Sequence, residues 1–176
     1  MRTRQKDRDV PGPRTPWDEI MPGLWMGGHH WTDTTGELQL AVVGGEFDLV
    51  VSLYTAPGHG PAPGVEHLVA EIPDAPLTAG QLADVRQLAR ATASAVRDGR
   101  TVLVRCRSGY NRSGLVVAQA LVELGTEPAA AVELVRRRRS PWALHNRVFE
   151  DYLAVGLDVA ALLTGLDAPP DHPLRG

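Results

Sequence analysis

The stretch Thr101-Val-Leu-Val-Arg-Cys106 runs into Arg107-Ser-Gly-Tyr-Asn-Arg112 and then into the apolar segment that starts at Ser113. No other part of the chain limits its fold so tightly. Apolar residues on consecutive positions from Val102 mark a strand covered on both faces. Residues 115–124 are nearly all apolar, which marks a helix buried all round. A strand and a helix that both need covering belong at the centre of a layered domain. The loop between them, bent at Gly109, holds the only cysteine of the chain.

The flanking sequence supplies the layers. Residues 23–26 follow a Pro-Gly turn and read as a short strand. Residues 47–54 (Phe-Asp-Leu-Val-Val-Ser-Leu-Tyr) read as a buried strand, and 65–72 as another. Residues 36–43 read as a short helix ending at Gly44-Gly45. Thr78 is placed to cap a helix over 79–97, in which Leu82, Val85, Leu88, Ala89, Ala93 and Val96 recur at helical spacing. Thr126, with Pro128 in the first turn, opens a helix that runs into Arg136–Arg139. A last helix is expected over 146–163. Strands and helices in this order predict an α/β fold: a single layered domain with a central, mostly parallel sheet flanked by helices. Its expected span is 17–164, between a polar, mobile arm (1–16) and a mobile tail (165–176).

A chain of 176 residues is long enough for one domain with a substantial core. Its net charge of −3 provides no general attraction to nucleic acid or anionic membranes, and neither is expected as a partner. Seventeen of the 18 basic residues are arginine, and eight of those lie between Arg105 and Arg147. Arginine suits forked contacts to phosphate or carboxylate. One cysteine excludes an internal disulfide. The lack of an 18-residue apolar run argues against a membrane span, and the polar start is unlike a signal peptide. A cytoplasmic location is the expectation, and the Arg-, Ala- and Gly-rich usage suggests a bacterial source.

The chemistry concentrates on the loop after Val104. In α/β sheets, sites lie beyond the carboxyl ends of the strands. A helix start offers unpaired N–H groups and partial positive charge, which bind anions. A loop bent at Gly109 can aim further N–H groups at the same point. That field favours the thiolate of Cys106. The guanidinium of Arg112 is suited to grip two oxygens of a tetrahedral anion. A nucleophile, an anion cradle and a forked cation together suit thiolate attack on a phosphate ester.

Cys106-Arg-Ser-Gly-Tyr-Asn-Arg112-Ser113 resembles the C-x5-R-S/T signature loop of the protein tyrosine phosphatases, and its wider context resembles the compact dual-specificity phosphatases. The resemblance extends over about 20–153. Met21-Pro-Gly-Leu-Trp-Met-Gly-Gly is similar to the family's opening I-x-P-x-L-Y-I-G. Residues 47–53 are similar to its I-T-H-V-L-N strand, and 134–146 to its V-R-x-x-R…N segment. The resemblance implies a phosphocysteine intermediate on Cys106. It implies phosphate binding by Arg112 and by the loop backbone of Arg107, Ser108, Gly109, Tyr110, Asn111 and Arg112. It implies that Ser113 helps the thiolate leave, and that neither metal nor cofactor takes part. It also implies a general acid on a separate loop about thirty residues before the cysteine. Asp74, 32 residues before Cys106 in Glu71-Ile-Pro-Asp-Ala-Pro-Leu77, fits that place. Asp84 lies mid-helix and Asp98 at a helix end, on the wrong side of the sheet.

The expected substrate is a phosphorylated protein or peptide, on tyrosine and also on serine or threonine. The alternatives are a phosphoinositide or an RNA 5′ end with the same chemistry, and a non-catalytic phosphate-binding module. One departure motivates the last. The family usually has histidine before the cysteine, and this chain has Arg105. A buried arginine needs partners, so a carboxylate or backbone carbonyls are expected beside it. Arg136–Arg139 reads either as a solvated helix end or as the source of one pocket-rim cation, Arg139. His29-His30-Trp31 is a weak metal motif, since adjacent histidines make poor joint ligands and Asp33 is only weak support as a third, and no metal is expected. Trp17, Trp25 and Trp142 are expected to pack, and Tyr110 to contact substrate.

Overall fold

The computed structural model describes residues 10–167. The outer parts of the expected arm and tail, 1–9 and 168–176, lie outside the described residues. The strands are β1 (Trp17–Met21), β2 (Leu24–Gly27), β3 (His30–Thr32), β4 (Leu38–Leu40), β5 (Leu49–Ser52), β6 (Glu66–Val69) and β7 (Val102–Arg105). The helices are α1 (Ala79–Arg97), α2 (Arg112–Glu123), α3 (Pro128–Arg138), α4 (Arg147–Val155) and α5 (Leu157–Asp167). The main sheet has the order β1-β2-β7-β5-β6. Only the β1–β2 pair is antiparallel; β2–β7, β7–β5 and β5–β6 are parallel. The expected mixed α/β architecture with a mostly parallel sheet is the observed one.

Strand β7 sits at the centre, as its unbroken apolar run requires, and all four of its residues are buried. Its alternate side chains serve two cores. Val102 and Val104 join Leu49 and Val51 in the large core, with the buried faces of all five helices. Leu103 and Val50 face the other way, into a smaller core with Val43 and Phe47. Trp17 and Trp25 close that second face, their rings edge-on to Phe47 at 5.5 and 5.9 Å. The second face is therefore covered by a loop and two tryptophans rather than by helices. Helix α2, central in the large core, has Leu115, Val116, Val117 and Ala118 fully buried.

Helix α1 begins where its sequence says. Thr78 accepts from the Gln81 N–H, and the Gln81 side chain accepts from the Thr78 N–H, which completes a capping box.

Several expectations are corrected. Residues 36–43 form no helix; β3 and β4 are a hairpin. The Asp33 carboxylate accepts from the Thr35 and Glu37 N–H groups and from the Thr35 hydroxyl, and Gly36 takes φ 88°. Turn chemistry thus overrides the apparent apolar spacing. The segment Trp17–Met21, with its two acidic residues, is an edge strand that apolar patterning did not reveal. The cap of α3 is Glu127, not Thr126. The last helix is two helices, parted at Gly156 with φ 98°. Trp142 is 44% exposed and is no packing residue.

Replacing Thr78 by alanine removes one side of the capping box. It is expected to cost about 1 kcal/mol and to lower Tm by about 2–4 °C, read by thermal unfolding.

Candidate active site

The register of the central strands builds the site. Gly27 pairs with Arg105 across the parallel β2–β7 ladder. The residues that follow each strand therefore leave the sheet side by side. Gly28 and His29 run next to Cys106 and Arg107. The fit is close: a Cβ on Gly28 would stand 2.7 Å from the Arg107 carbonyl oxygen, and one on Gly109 would stand 2.5 Å from the Gly27 backbone. Gly109 also takes φ 74°, which favours glycine.

Two side chains outside the loop orient it. The His29 Nδ1–H donates to the Cys106 carbonyl at 2.8 Å, and the His29 backbone N–H donates to the Arg107 carbonyl at 2.8 Å. Arg139 donates to the Ser108 carbonyl at 3.3 Å and to the Gly109 carbonyl at 3.1 Å. Four successive carbonyls are thereby drawn to one side. In a planar trans peptide the next N–H points the opposite way, so the N–H groups of 107–110 turn from those donors. No described residue accepts from the N–H groups of 107–112. With the start of α2 they form an electropositive nest of the kind that binds tetrahedral anions.

Cys106 is almost wholly buried, and its Sγ lies 3.3 Å from the Ser113 hydroxyl. Arg112 sits above Tyr54, its Cζ 5.6 Å from the ring centroid, and donates from Nη1 to the Ile72 carbonyl at 3.2 Å. Its buried Nε–H has no protein acceptor among the described residues. Asp74 reaches the same place from the loop after β6. One carboxylate oxygen accepts from the Asn111 amide at 2.9 Å, the other from the Asn146 amide at 2.8 Å. Cys106, Arg112, Asp74, Arg107, Ser108 and Asn111 all line one cleft of about 460 Å³. Its walls are residues Val10–Pro13, the hairpin residues Thr32 and Leu38, and His145.

Arg139 is not at the rim of this cleft. Its side chain is 1% exposed, lies beneath the loop and is paired with Asp18 at 2.7 Å. Burial suits it because five polar partners surround the guanidinium, including the Thr15 carbonyl and hydroxyl. Tyr110 lines the cleft, but its hydroxyl is tied to the Pro11 carbonyl at 2.7 Å. Residues 10–16, read as part of a polar arm, are held to the domain by this bond and by those from Arg139.

Arg105 has the carbonyl partners expected of it and no carboxylate partner among the described residues. Its side chain points to the face away from the large core. Nε donates to the Ser52 hydroxyl at 3.0 Å, Nη1 to the His59 carbonyl at 2.8 Å and Nη2 to the Gly60 carbonyl at 2.6 Å. Burial lowers its pKa to about 10, which still leaves it charged at neutral pH. It braces the 59–60 loop against the sheet and does not touch the thiol loop's carbonyls. That contact belongs to His29, which the sequence offered only as a weak metal motif. The parallel register explains the contact: a residue two places past β2 meets the residues just past β7, and the sequence alone does not give that strand order.

His29 is fully buried, and burial pushes its pKa from 6.5 down to about 4. It is neutral at pH 7. Between these values the unfolded chain binds a proton that the folded chain excludes, so stability falls as the pH drops from 6.5 towards 4. The His29→Asn variant keeps a donor near Nδ1 without titrating. The loss of unfolding free energy between pH 7 and pH 4.5 should shrink by about 2 kcal/mol in that variant, measured by urea titration. Arg105→Lys surrenders two of three buried bonds and should lower Tm by about 5–10 °C.

No protein-family model matches the chain, and no curated protein matches its sequence. Solved structures do. Human DUSP28 is 25% identical with a TM-score of 0.64, over 90% of this chain and all of its own. A mouse putative dual-specificity phosphatase, solved with zinc tungstate, is 24% identical with a TM-score of 0.60, over 93% of this chain and 96% of its own. The active form of Tk-PTP is 24% identical with a TM-score of 0.56, over 79% of this chain and 94% of its own. In fold and in signature loop the chain is similar to the dual-specificity phosphatases of the protein tyrosine phosphatase superfamily.

Proposed function

We propose that this protein is a cysteine-dependent phosphatase that hydrolyses phosphomonoesters, phosphotyrosine in proteins first and phosphoserine or phosphothreonine besides. One observation supports the reading: Cys106, Arg112 and Asp74, from two separate loops, line one cleft together with a loop whose N–H groups at 107–112 have no acceptor among the described residues. In the first step the Cys106 thiolate attacks phosphorus and the ester P–O bond breaks. Asp74 gives its proton to the departing oxygen, since a phenolate or alkoxide leaves poorly without one. Arg112 and the N–H groups of 107–112 hold the three phosphoryl oxygens. In the second step Asp74, now ionised, takes a proton from water as that water attacks the phosphocysteine. The P–S bond breaks, and the Ser113 hydroxyl, 3.3 Å from Sγ, stabilises the returning thiolate.

The walls support an aryl substrate. Val10, Pro11, Pro13 and Leu38 offer apolar surface above the polar floor, which suits an aromatic ring carrying phosphate at its tip. The non-catalytic reading began from the missing histidine before the thiol. A histidine nevertheless contacts the thiol loop here, from the segment after β2, and this favours the enzyme.

Aryl phosphate hydrolysis is the test. Cys106→Ser should abolish turnover, and Asp74→Ala should lower kcat by about 10²–10³-fold for phenyl phosphate. Turnover by Cys106→Ser equal to wild type would overturn the reading. Faster hydrolysis of phosphoinositides than of phosphotyrosine peptides would move the substrate class to lipids.

A further inference from the structure

Two side chains of the signature loop reach the Asp74 loop: Arg112 bonds the Ile72 carbonyl, and Asn111 bonds the Asp74 carboxylate itself. The Asn111 amide is fully engaged. One Nδ2–H donates to Asp74 Oδ2 at 2.9 Å. The other faces His145 Nε2 at 3.2 Å. The carbonyl oxygen accepts the Asn146 backbone N–H at 3.0 Å. His145 is set to receive, because its Nδ1 faces the Trp142 carbonyl at 2.8 Å and must carry the ring proton. Asn146 caps α4 with its Oδ1 on the Val148 N–H, and its amide donates to the second oxygen of Asp74 at 2.8 Å. Two asparagines thus hold both oxygens of Asp74, and Asn111 fixes the second asparagine as well. Its residue is 4% exposed, so water does not compete for these bonds.

We infer that Asn111 is a positioning residue that holds Asp74 over the thiol loop before any substrate arrives, so that the acid is assembled in the resting protein. The inference rests on the assignment of Asp74 as general acid. Only an amide of this length serves, since the place needs two donors and one acceptor on a short side chain. A serine has one donor and is too short to reach three partners. An aspartate keeps the acceptor for the Asn146 N–H but sets a second carboxylate against Asp74. The chemistry of the loop, in contrast, does not pass through the Asn111 side chain: no bond ties it to Cys106, Arg112 or Ser113.

A general acid matters in proportion to how poor the leaving group is. The experiment is kcat across a series of aryl phosphates, from strongly acidic fluorinated phenols to phenol, for wild type, Asp74→Ala, Asn111→Ser and Asn111→Asp. The inhibition constant of inorganic phosphate reports on the loop itself, and circular dichroism reports on folding. The expectation is a deficit for Asn111→Ser of about 10-fold on phenyl phosphate that narrows steadily as the phenol becomes more acidic, with phosphate inhibition altered by less than about 3-fold. Asn111→Asp should show a deeper deficit with the same trend, and it is isosteric should the serine variant fold poorly. If Asp74→Ala shows the leaving-group trend and neither Asn111 variant does, the inference fails while the proposed function stands. A deficit equal for all phenols, or a loss of phosphate binding that matches the loss of kcat, would make Asn111 a part of the loop alone and also overturn it. If Asp74→Ala itself shows no trend, the general-acid assignment falls and this inference with it.

Discussion

Four carbonyls in a row, from Cys106 to Gly109, are pulled outward by two donors that belong to neither the loop nor its flanking elements. The anion nest depends on this. A flexible loop of the same sequence would pair its own N–H and C=O groups or present both to water. Here His29 and Arg139 satisfy the carbonyls, and the N–H groups are left facing the other way. The preorganisation is electrostatic: dipoles are aimed before charge arrives, so little reorientation is needed when it does. His29 serves because burial keeps it neutral, with its one proton on Nδ1. Arg139 serves because Asp18 balances its charge under the loop.

Arg105 shows a different solution to a buried charge. Among the described residues its partners are two backbone carbonyls and a hydroxyl, with no carboxylate. Neutral acceptors offset part of the desolvation cost and none of the charge. The strand pleat makes this possible. Leu103 and Arg105 share the face that is covered by the 43–65 segment, where carbonyls at 59 and 60 are near. A histidine in place of Arg105 would stand on that same face. The position before the thiol therefore braces a loop in this chain, and the contact with the Cys106 carbonyl comes from His29, just past the neighbouring strand.

The parts legible in the sequence were those set by short-range rules. Thr78 and the spacing from Leu82 to Val96 gave α1. The run from Val102 to Val104 gave the central strand, and Cys106-x5-Arg112 gave the loop. Asp74 was singled out because the resemblance implies an acid about thirty residues before the cysteine, between a strand and a capped helix, and it lines the cleft. The contacts of His29, Asn111 and Asn146 were not legible, because each depends on which loops the sheet order sets side by side. Arg139 was misjudged for the same reason. A helix-end arginine looks solvated until β1 delivers Asp18 and Thr15 beneath it. β1 itself was hidden, since an edge strand needs few apolar residues.

The tethers of the cleft wall extend the same dependence. Residues 10–16 are fixed by Tyr110 to Pro11, by the Thr32 N–H to the Pro13 carbonyl at 2.7 Å, by the Gly28 N–H to the Pro16 carbonyl at 3.2 Å and by Arg139 to Thr15. Tyr110 and Arg139 are thus shared: one lies in the loop, the other orients it, and both hold the wall. The hairpin wall is tied through His29 as well, whose carbonyl accepts the Ala41 N–H at 2.9 Å. Wall and floor are one mechanical unit, coupled through residues whose partners lie far apart in sequence. Disturbing the wall at these points would alter the orientation of the nest, so under the proposed function the fit of a substrate to the wall and of its phosphate to the floor are not independent quantities.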